Sequence, residues 1–408
     1  MTTNDRSIVR LVMVGHGLVH TYELSIPIFM TVWLSAFGVT EAALGTLVGA
    51  GYVLFGVGAL PGGVLADRFG ARRLIAACLA GMGLSFVALG LAPGLWAVGG
   101  ALVLWGAAAS VYHPAALALI STGVRQRGRG LAWHGIAGNV GIAGGPLMTA
   151  LLLLAVGWQT VALLLALPAF AAAGLAAYAS FDETAAVDET EKAETPAPPE
   201  GLEALWARSA ALFTVSFVVV FAAAALSGLY YRGVLTFLPD LLTPLVTVDL
   251  PIDVDTGRYV YAGLLTVGIG GQYVGGRLTE WGRPERGLVG AFGALAVVAA
   301  LFLPVAETGT AGLLGASAVL GFALFVIQPL YQATVAEYSP AGARGLSYGY
   351  TYLAVFGVGA LGATLAGALL QYAGPPLLFG VLAGIAGLGA ALSAGLALRR
   401  PSAETVSP

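Results

Sequence analysis

The sequence predicts an all-α polytopic membrane protein, with twelve transmembrane helices in two six-helix bundles. Three observations carry that expectation: an apolar composition, apolar runs of membrane-spanning length, and an internal repeat. Of 408 residues, 58% are hydrophobic and 10% charged, against roughly 25% charged in soluble domains. The apolar residues gather in runs near the ~20 residues that cross a hydrocarbon core. Gly, at 59 residues, is more frequent in membrane helices than in soluble ones. The net charge of −3 gives no ground for nucleic-acid binding. The single cysteine, Cys78, excludes an intramolecular disulfide. The apolar run after Arg10 is too long for a signal-peptide core and reads as a retained first helix.

Taken in order, helices are expected over 10–36, 43–66, 73–92, 95–121, 130–155 and 158–180, the N-terminal bundle of residues 1–180. The stretch 181–207 is acidic and proline-containing, and its composition predicts a disordered cytoplasmic linker. Helices resume over 209–240, 258–280, 287–305, 310–337, 343–370 and 376–398, the C-terminal bundle of 208–408. The run 209–246 is long enough to divide into two spans. Division would place Arg277, Arg283 and Arg286 on the outer side, so one long helix is expected. With both termini cytoplasmic, every Lys and Arg except Arg232 and Arg258 falls on the cytoplasmic side, which satisfies the positive-inside rule.

The two halves repeat at an offset of 213–215 residues. Gly62-Gly63-Val64-Leu65-Ala66-Asp67 aligns with Gly275-Gly276-Arg277-Leu278-Thr279-Glu280. Val111-Tyr112-His113-Pro114 aligns with Val326-Ile327-Gln328-Pro329, and Arg129-Gly130-Leu131 with Arg344-Gly345-Leu346. Six spans per half make the repeats parallel, related by an axis along the membrane normal.

The stretch 62–73, GGVLADRFGARR, closely resembles the signature between the second and third helices of major facilitator transporters. With the repeat and the central linker, the resemblance covers essentially the whole chain. It implies a cytoplasmic latch made of Gly62, Gly63, Asp67, Arg68, Gly70, Arg72 and Arg73. The second copy has Trp281 in place of Arg68 and is one residue shorter, so a weaker latch is expected there. Gly141, Gly145 and Pro146 resemble the core of the fifth-helix motif of drug/proton antiporters. Gly138 shares their face, with His134 above; a smooth face of this kind packs closely on another helix. His16, Tyr112-His113-Pro114 and Arg129-Gly130-Leu131 are similar to the fosmidomycin-resistance-like exporters, although His20 and Ala115 stand where that subgroup suggests acids.

Ionisable residues inside the bilayer are costly and mark function. All four histidines, His16, His20, His113 and His134, lie in spans of the first half. His16, His20 and Glu23 recur at i, i+4 and i+7 and share one helical face. At about 1.5 Å per residue, Glu23 lies roughly 20 Å beyond residue 10, near the bilayer centre. Histidine titrates near physiological pH, so this face suits proton carriage. Arg232 is the one basic residue deep in a span. It could bind an anionic substrate, pair with Glu23, or pair with Asp240. The resemblance places helices 1, 4, 7 and 10 around a central cavity, which would gather His16, His20, Glu23, His113, Arg232 and Gln328. Tyr331 and Gln332 share the face of Gln328, and Tyr348 and Tyr352 are weaker candidates.

His16 and His20 also have metal-ligand spacing, but no soft ligand or histidine-rich tract accompanies them, and no metal or other cofactor is expected. No enzyme motif is present. The expected function is alternating-access transport of a small organic molecule across the cytoplasmic membrane by a monomer, with protons as the coupling ion and export as the direction. Proton-coupled uptake of a metabolite is the alternative within that class, and a non-transporting membrane receptor or scaffold the alternative outside it.

Overall fold

A computed structural model of the chain describes residues 1–187, 202–246, 255–339 and 344–399. The first half crosses the membrane six times. Its helices are α1 (Thr3–Phe37), α2 (Glu41–Val57) continued by α3 (Ala59–Phe69), α4 (Ala71–Gly90), α5 (Leu95–Ala109) continued by α6 (Tyr112–Gly123), α7 (Arg127–Leu152) and α8 (Trp158–Tyr178). The second half begins with α9 (Leu202–Leu212). It continues with α10 (Val215–Leu235), α11 (Leu238–Leu242), α12 (Thr256–Glu280), α13 (Pro284–Ala306), α14 (Thr310–Tyr338), α15 (Arg344–Tyr352) and α16 (Leu361–Arg399). A π-helical turn at Leu353–Val358 leads from α15 towards α16.

Among the described residues, nine helical stretches are long and apolar enough to cross a membrane. One of them, 346–399, reverses at Gly374, whose φ of 78° needs a residue without Cβ, and so makes two crossings. α1 and α12 complete the twelve. They have 35 and 25 residues and are more polar, because they carry groups that face protein rather than lipid.

Local signals account for the helix ends. α1 opens on a capping box, in which Thr2 Oγ1 accepts from the Asp5 amide and the Asp5 carboxylate accepts from the Thr2 amide. It closes at Gly38 with φ 58°, a left-handed cap. The fourth crossing breaks at Ser110–Val111, where Pro114 cannot donate to the Ser110 carbonyl and its ring crowds that turn.

The repeat is visible in the packing. A Cβ on Gly62 would lie 3.3 Å from Val111 Cα, and one on Gly275 would lie 3.1 Å from Val326 Cα. The residues aligned in sequence thus make the same contact in each half. Between the halves, α2 lies on the first segment of α16, where Gly45 backs onto the Ala363 carbonyl and Gly49 onto Thr364 Oγ1. α7 lies on α12, and α3 meets α15.

Two expectations are corrected. The region 181–207 is not uniformly a disordered linker. Residues 181–187 are strapped to the first half. Glu183 caps α4 by accepting from the amides of Ala71 (2.9 Å) and Arg72 (3.4 Å), and Thr122 Oγ1 donates to the Glu183 carbonyl at 2.7 Å. Residues 202–212 form α9, since LEALWARSAAL consists almost entirely of strong helix formers, which the acidic, proline-rich average of the whole stretch conceals. Residues 188–201 lie outside the described residues. The long seventh helix is also broken: Thr214 caps α10 by accepting from the Phe217 amide, and Pro239 starts α11.

Candidate transport site between the two halves

The site is built on α1. Pro27 cannot donate to the carbonyl of Glu23, four residues earlier. The Tyr52 hydroxyl on α2 takes that carbonyl instead, at 3.1 Å. The same Tyr52 ring lies under the Arg232 guanidinium from the second half, 3.7 Å from its centroid. Arg232 Nη2 donates to Glu23 Oε1. Of the three partners left open in the sequence, Glu23 is therefore the one Arg232 meets, while Asp240 lies within electrostatic range of Glu41 and Asp255. Glu23 is fully buried and Arg232 2% exposed, so each charge depends on the other.

The other carboxylate oxygen, Glu23 Oε2, lies 2.6 Å from His20 Nδ1. His20 Nε2 lies 3.0 Å from His16 Nε2, and His16 Nδ1 donates to the His134 carbonyl on α7 at 2.7 Å. A continuous chain thus runs from Arg232 through Glu23, His20 and His16 to α7. His134 stacks its ring on His16, with centroids 3.7 Å apart and planes 10° apart. His113 stands edge-on to His16 at 5.3 Å and contacts Tyr352 and Phe356 of the second half.

The approach of α1 to α7 rests on the glycine face predicted from sequence. A Cβ on Gly138 would meet the His16 ring, one on Gly141 would meet the Gly17 carbonyl, and one on Gly145 would lie 2.6 Å from Thr21 Cα. The Gly141–Pro146 motif therefore does a concrete job here: it brings α7 close enough for the His134 carbonyl to receive His16.

The structure thus brings together His16, His20, Glu23, His113 and Arg232. Tyr331 sits beside Gln328 and Gln332 on α14, within electrostatic range of Glu23. Among the described residues, none of these three hydrogen-bonds to the chain above. His134, Tyr52 and Phe356 belong to the site but were not among the expected residues. A tyrosine or phenylalanine in an apolar helix carries no signal of its own. His134 was noted among the four intramembrane histidines and as standing above the glycine face, but was not placed in the pathway.

Around the implied latch, Gly62 packs on Pro114 and Val111 within its own half, and nothing lies within 4 Å of a Cβ built on Gly63. Gly70 turns the chain with φ 83°. Arg72 donates to the carbonyls of Ala177 and Ala179. Arg68 lies over the Phe69 ring, and Arg73 is exposed. The Asp67 side chain lies outside the described residues. A further seam between the halves is the contact of α3 with α15, where a Cβ on Gly349 would lie 3.2 Å from Leu60 Cδ2.

His16, His20 and His113 each place one ligand-capable atom within 4.8 Å of the others. The hydrogen bonds just described already engage both ring nitrogens of His16 and of His20.

Two halves of six helices, a repeat about an axis through both, and charge buried between them describe a transporter fold, and comparison with known proteins agrees. The family model described as Major Facilitator Superfamily matches residues 12–363. The chain belongs to that superfamily. Solved structures share its fold. A variant of the nucleoside transporter NupG aligns over 97% of this chain and 100% of its own, with TM-score 0.78 and 13% identity. A bacterial homologue of the human lysosomal transporter Spinster, inward-facing and unoccupied, aligns over 98% and 92%, with TM-score 0.72 and 16% identity. The human organic anion transporter MFSD10 aligns over 96% and 100%, with TM-score 0.64 and 18% identity. A search of curated sequences gives no match. The chain is thus a multi-pass membrane transporter of the major facilitator type.

Proposed function

We propose that this transporter is proton-coupled and moves a small organic molecule across the cytoplasmic membrane by alternating access. The carrying observation is the Glu23–Arg232 pair, buried between the halves and continued by His20 and His16. Opening either side of the membrane requires the halves to part, and parting them exposes or rearranges this pair. A proton or substrate that replaces one partner of the pair can therefore bias which side opens. In this reading Glu23, His20, His16 and His113 handle the proton, while Arg232, with Gln328, Tyr331 and Gln332 on the facing helix, meets the substrate. The latch residues Gly62 to Arg73 govern closure on the cytoplasmic side, where both termini lie. The protein works as a monomer.

Export is the direction favoured by the antiporter-like motif on α7. Uptake by proton symport is the second reading; in either direction Arg232 Nε, buried and without a partner among the described residues, suits an anion. That the MFSD10 structure is described as an organic anion transporter is in keeping with it.

Vesicles reconstituted with the protein and loaded with a pH-sensitive dye provide the test. A ligand found by thermal stabilisation should change the internal pH as it crosses, and an imposed pH gradient should accumulate it. Glu23→Gln, which cannot release a proton, should abolish accumulation. Accumulation that persists in Glu23→Gln would remove the proton assignment in favour of another ion. Cysteines placed in 181–187 and at 255 should label from opposite sides of the membrane, and labelling from one side would remove the orientation.

A further inference from the structure

The chain from α7 to Arg232 has a hydrogen count that its groups cannot fill when the histidines are neutral. Its links run from the His134 carbonyl to His16 (2.7 Å), from His16 to His20 (3.0 Å), and from His20 to Glu23 (2.6 Å). Each link needs one hydrogen. The two ends, a carbonyl and a carboxylate oxygen, only accept. Two neutral imidazoles carry two N–H groups in total, so the third link requires one added proton. Glu23 could supply it only as a carboxylic acid. Its other oxygen already receives Arg232 Nη2; either placement of the proton leaves one net positive charge, but an ionised carboxylate between the guanidinium and His20 pairs with both, where a neutral acid pairs with neither.

We propose that His16 and His20 share a bound proton as an imidazolium, so that the buried centre carries one net positive charge and receives a monovalent anion. Among the described residues the neighbours supply no counter-charge. The ionised groups facing the pair are Glu23 on α1 and Arg232 on α10, which cancel. Against it from α6 and α7 stand Tyr112, His113 and His134, with Tyr352 beyond His113, while Tyr52 of α2 lies under Arg232. None of these brings a negative charge. A donor for the anion is already present in Arg232 Nε, buried and unpartnered among the described residues. The guanidinium is walled by the rings of Tyr52 (3.7 Å), Tyr231 (5.5 Å) and Phe356 (6.0 Å). That surround fits a carboxylate on a flat apolar body. The anion assignment rests on the transport reading above; the bound proton does not.

The chain has four histidines, and all lie in this cluster, so nitrogen-15 labelling of histidine reports on nothing else. In the full-length protein in lipid at neutral pH, solid-state NMR should show one imidazolium, with both ring nitrogens protonated, beside three neutral rings. In Glu23→Gln the new side-chain amide donates the third hydrogen to His20 Nδ1, and the imidazolium signal should vanish. The double variant Glu23→Gln/Arg232→Gln, which leaves no unpaired charge to unfold the protein, should lose it as well. Four neutral rings in the wild type, or an imidazolium that persists in either variant, overturns the bound proton. Benzoate and benzamide are matched probes for the charge. Benzoate should raise the Tm of the wild type and benzamide should not. Equal shifts from the two, or none from benzoate, overturn the anion assignment. An imidazolium without pH-driven accumulation would instead reject the coupling proposal and leave the bound proton standing.

Discussion

Two arginines of the second half reach across to the first, and they do so in opposite settings. Arg232 meets Glu23 in the centre, with both side chains 3% exposed or less. Arg258 sits at the end of the molecule near α11, where its Nε donates to Thr31 Oγ1 of α1 at 2.9 Å while its guanidinium pairs with Asp255, whose side chain is 42% exposed. Both contacts join the halves, yet water reaches only one of them. A buried pair is expensive to break from one side, because the survivor is stranded without solvent. A half-exposed pair exchanges its partner for water at little cost. The central contact is therefore suited to switching on a ligand or proton, and the outer one to opening readily once the centre has switched.

The largest effect should come from stranding a charge in the centre. Arg232→Leu takes the guanidinium from Glu23 and leaves it only the His20 contact, and should cost about 3–5 kcal/mol, read as a fall in Tm in detergent. Adding Glu23→Gln to it should recover most of that loss. A double variant no more stable than the single one would show that the pair is not coupled. Next comes the seam that carries His16 to α7. Gly141→Ala drives a Cβ into the Gly17 carbonyl and should cost about 1–3 kcal/mol by overpacking. Gly144→Ala, three residues along the same helix and facing open space, should cost nothing. Equal losses at the two positions would remove the close approach as the cause.

Tyr52 separates two contributions at the centre. Tyr52→Phe keeps the ring under Arg232 and loses the bond to the Glu23 carbonyl, for about 0.5–1.5 kcal/mol. Tyr52→Leu loses the cation–π contact too and should fall further, by up to about 2 kcal/mol. The order of the two melting temperatures is the check. The smallest effect belongs to the outer contact. Arg258→Gln should change stability by about 0–1 kcal/mol but should speed labelling of a cysteine at position 28, a buried site one turn deeper on α1 than Thr31. An unchanged labelling rate would mean that Arg258 does not hold that end closed.

Much of this centre was legible in the sequence, for identifiable reasons. Helical periodicity put His16, His20 and Glu23 on one face, and cost alone marked Arg232 as a charge that must have a partner. The glycines of α7 announced a close helix contact before its partner was known. What the chain could not reveal was convergence. Glu23 and Arg232 meet across 209 positions, and only the packed halves choose Glu23 over Asp240. Tyr52 is invisible in a glycine-rich apolar helix, although its role follows once Pro27 is seen to free a carbonyl. The linker misled because composition was averaged across it. Its first residues are held by the α4 N-terminus through Glu183, a contact no local signal predicts, and its last residues are helix formers diluted by the prolines and acids before them.

The position of Arg232 also bears on how the protein is made. The six helices of the first half, with their strap at 181–187, close on themselves through bonds such as those of Glu183 and Thr122, so this half can assemble while the second is still being translated. Until α10 is inserted, however, the newly made half holds Glu23 on the face that the second half will cover, with no guanidinium to meet it. A nascent chain truncated before Arg232 would present the membrane's quality-control proteases with six packed helices whose central carboxylate still lacks its partner from the second half.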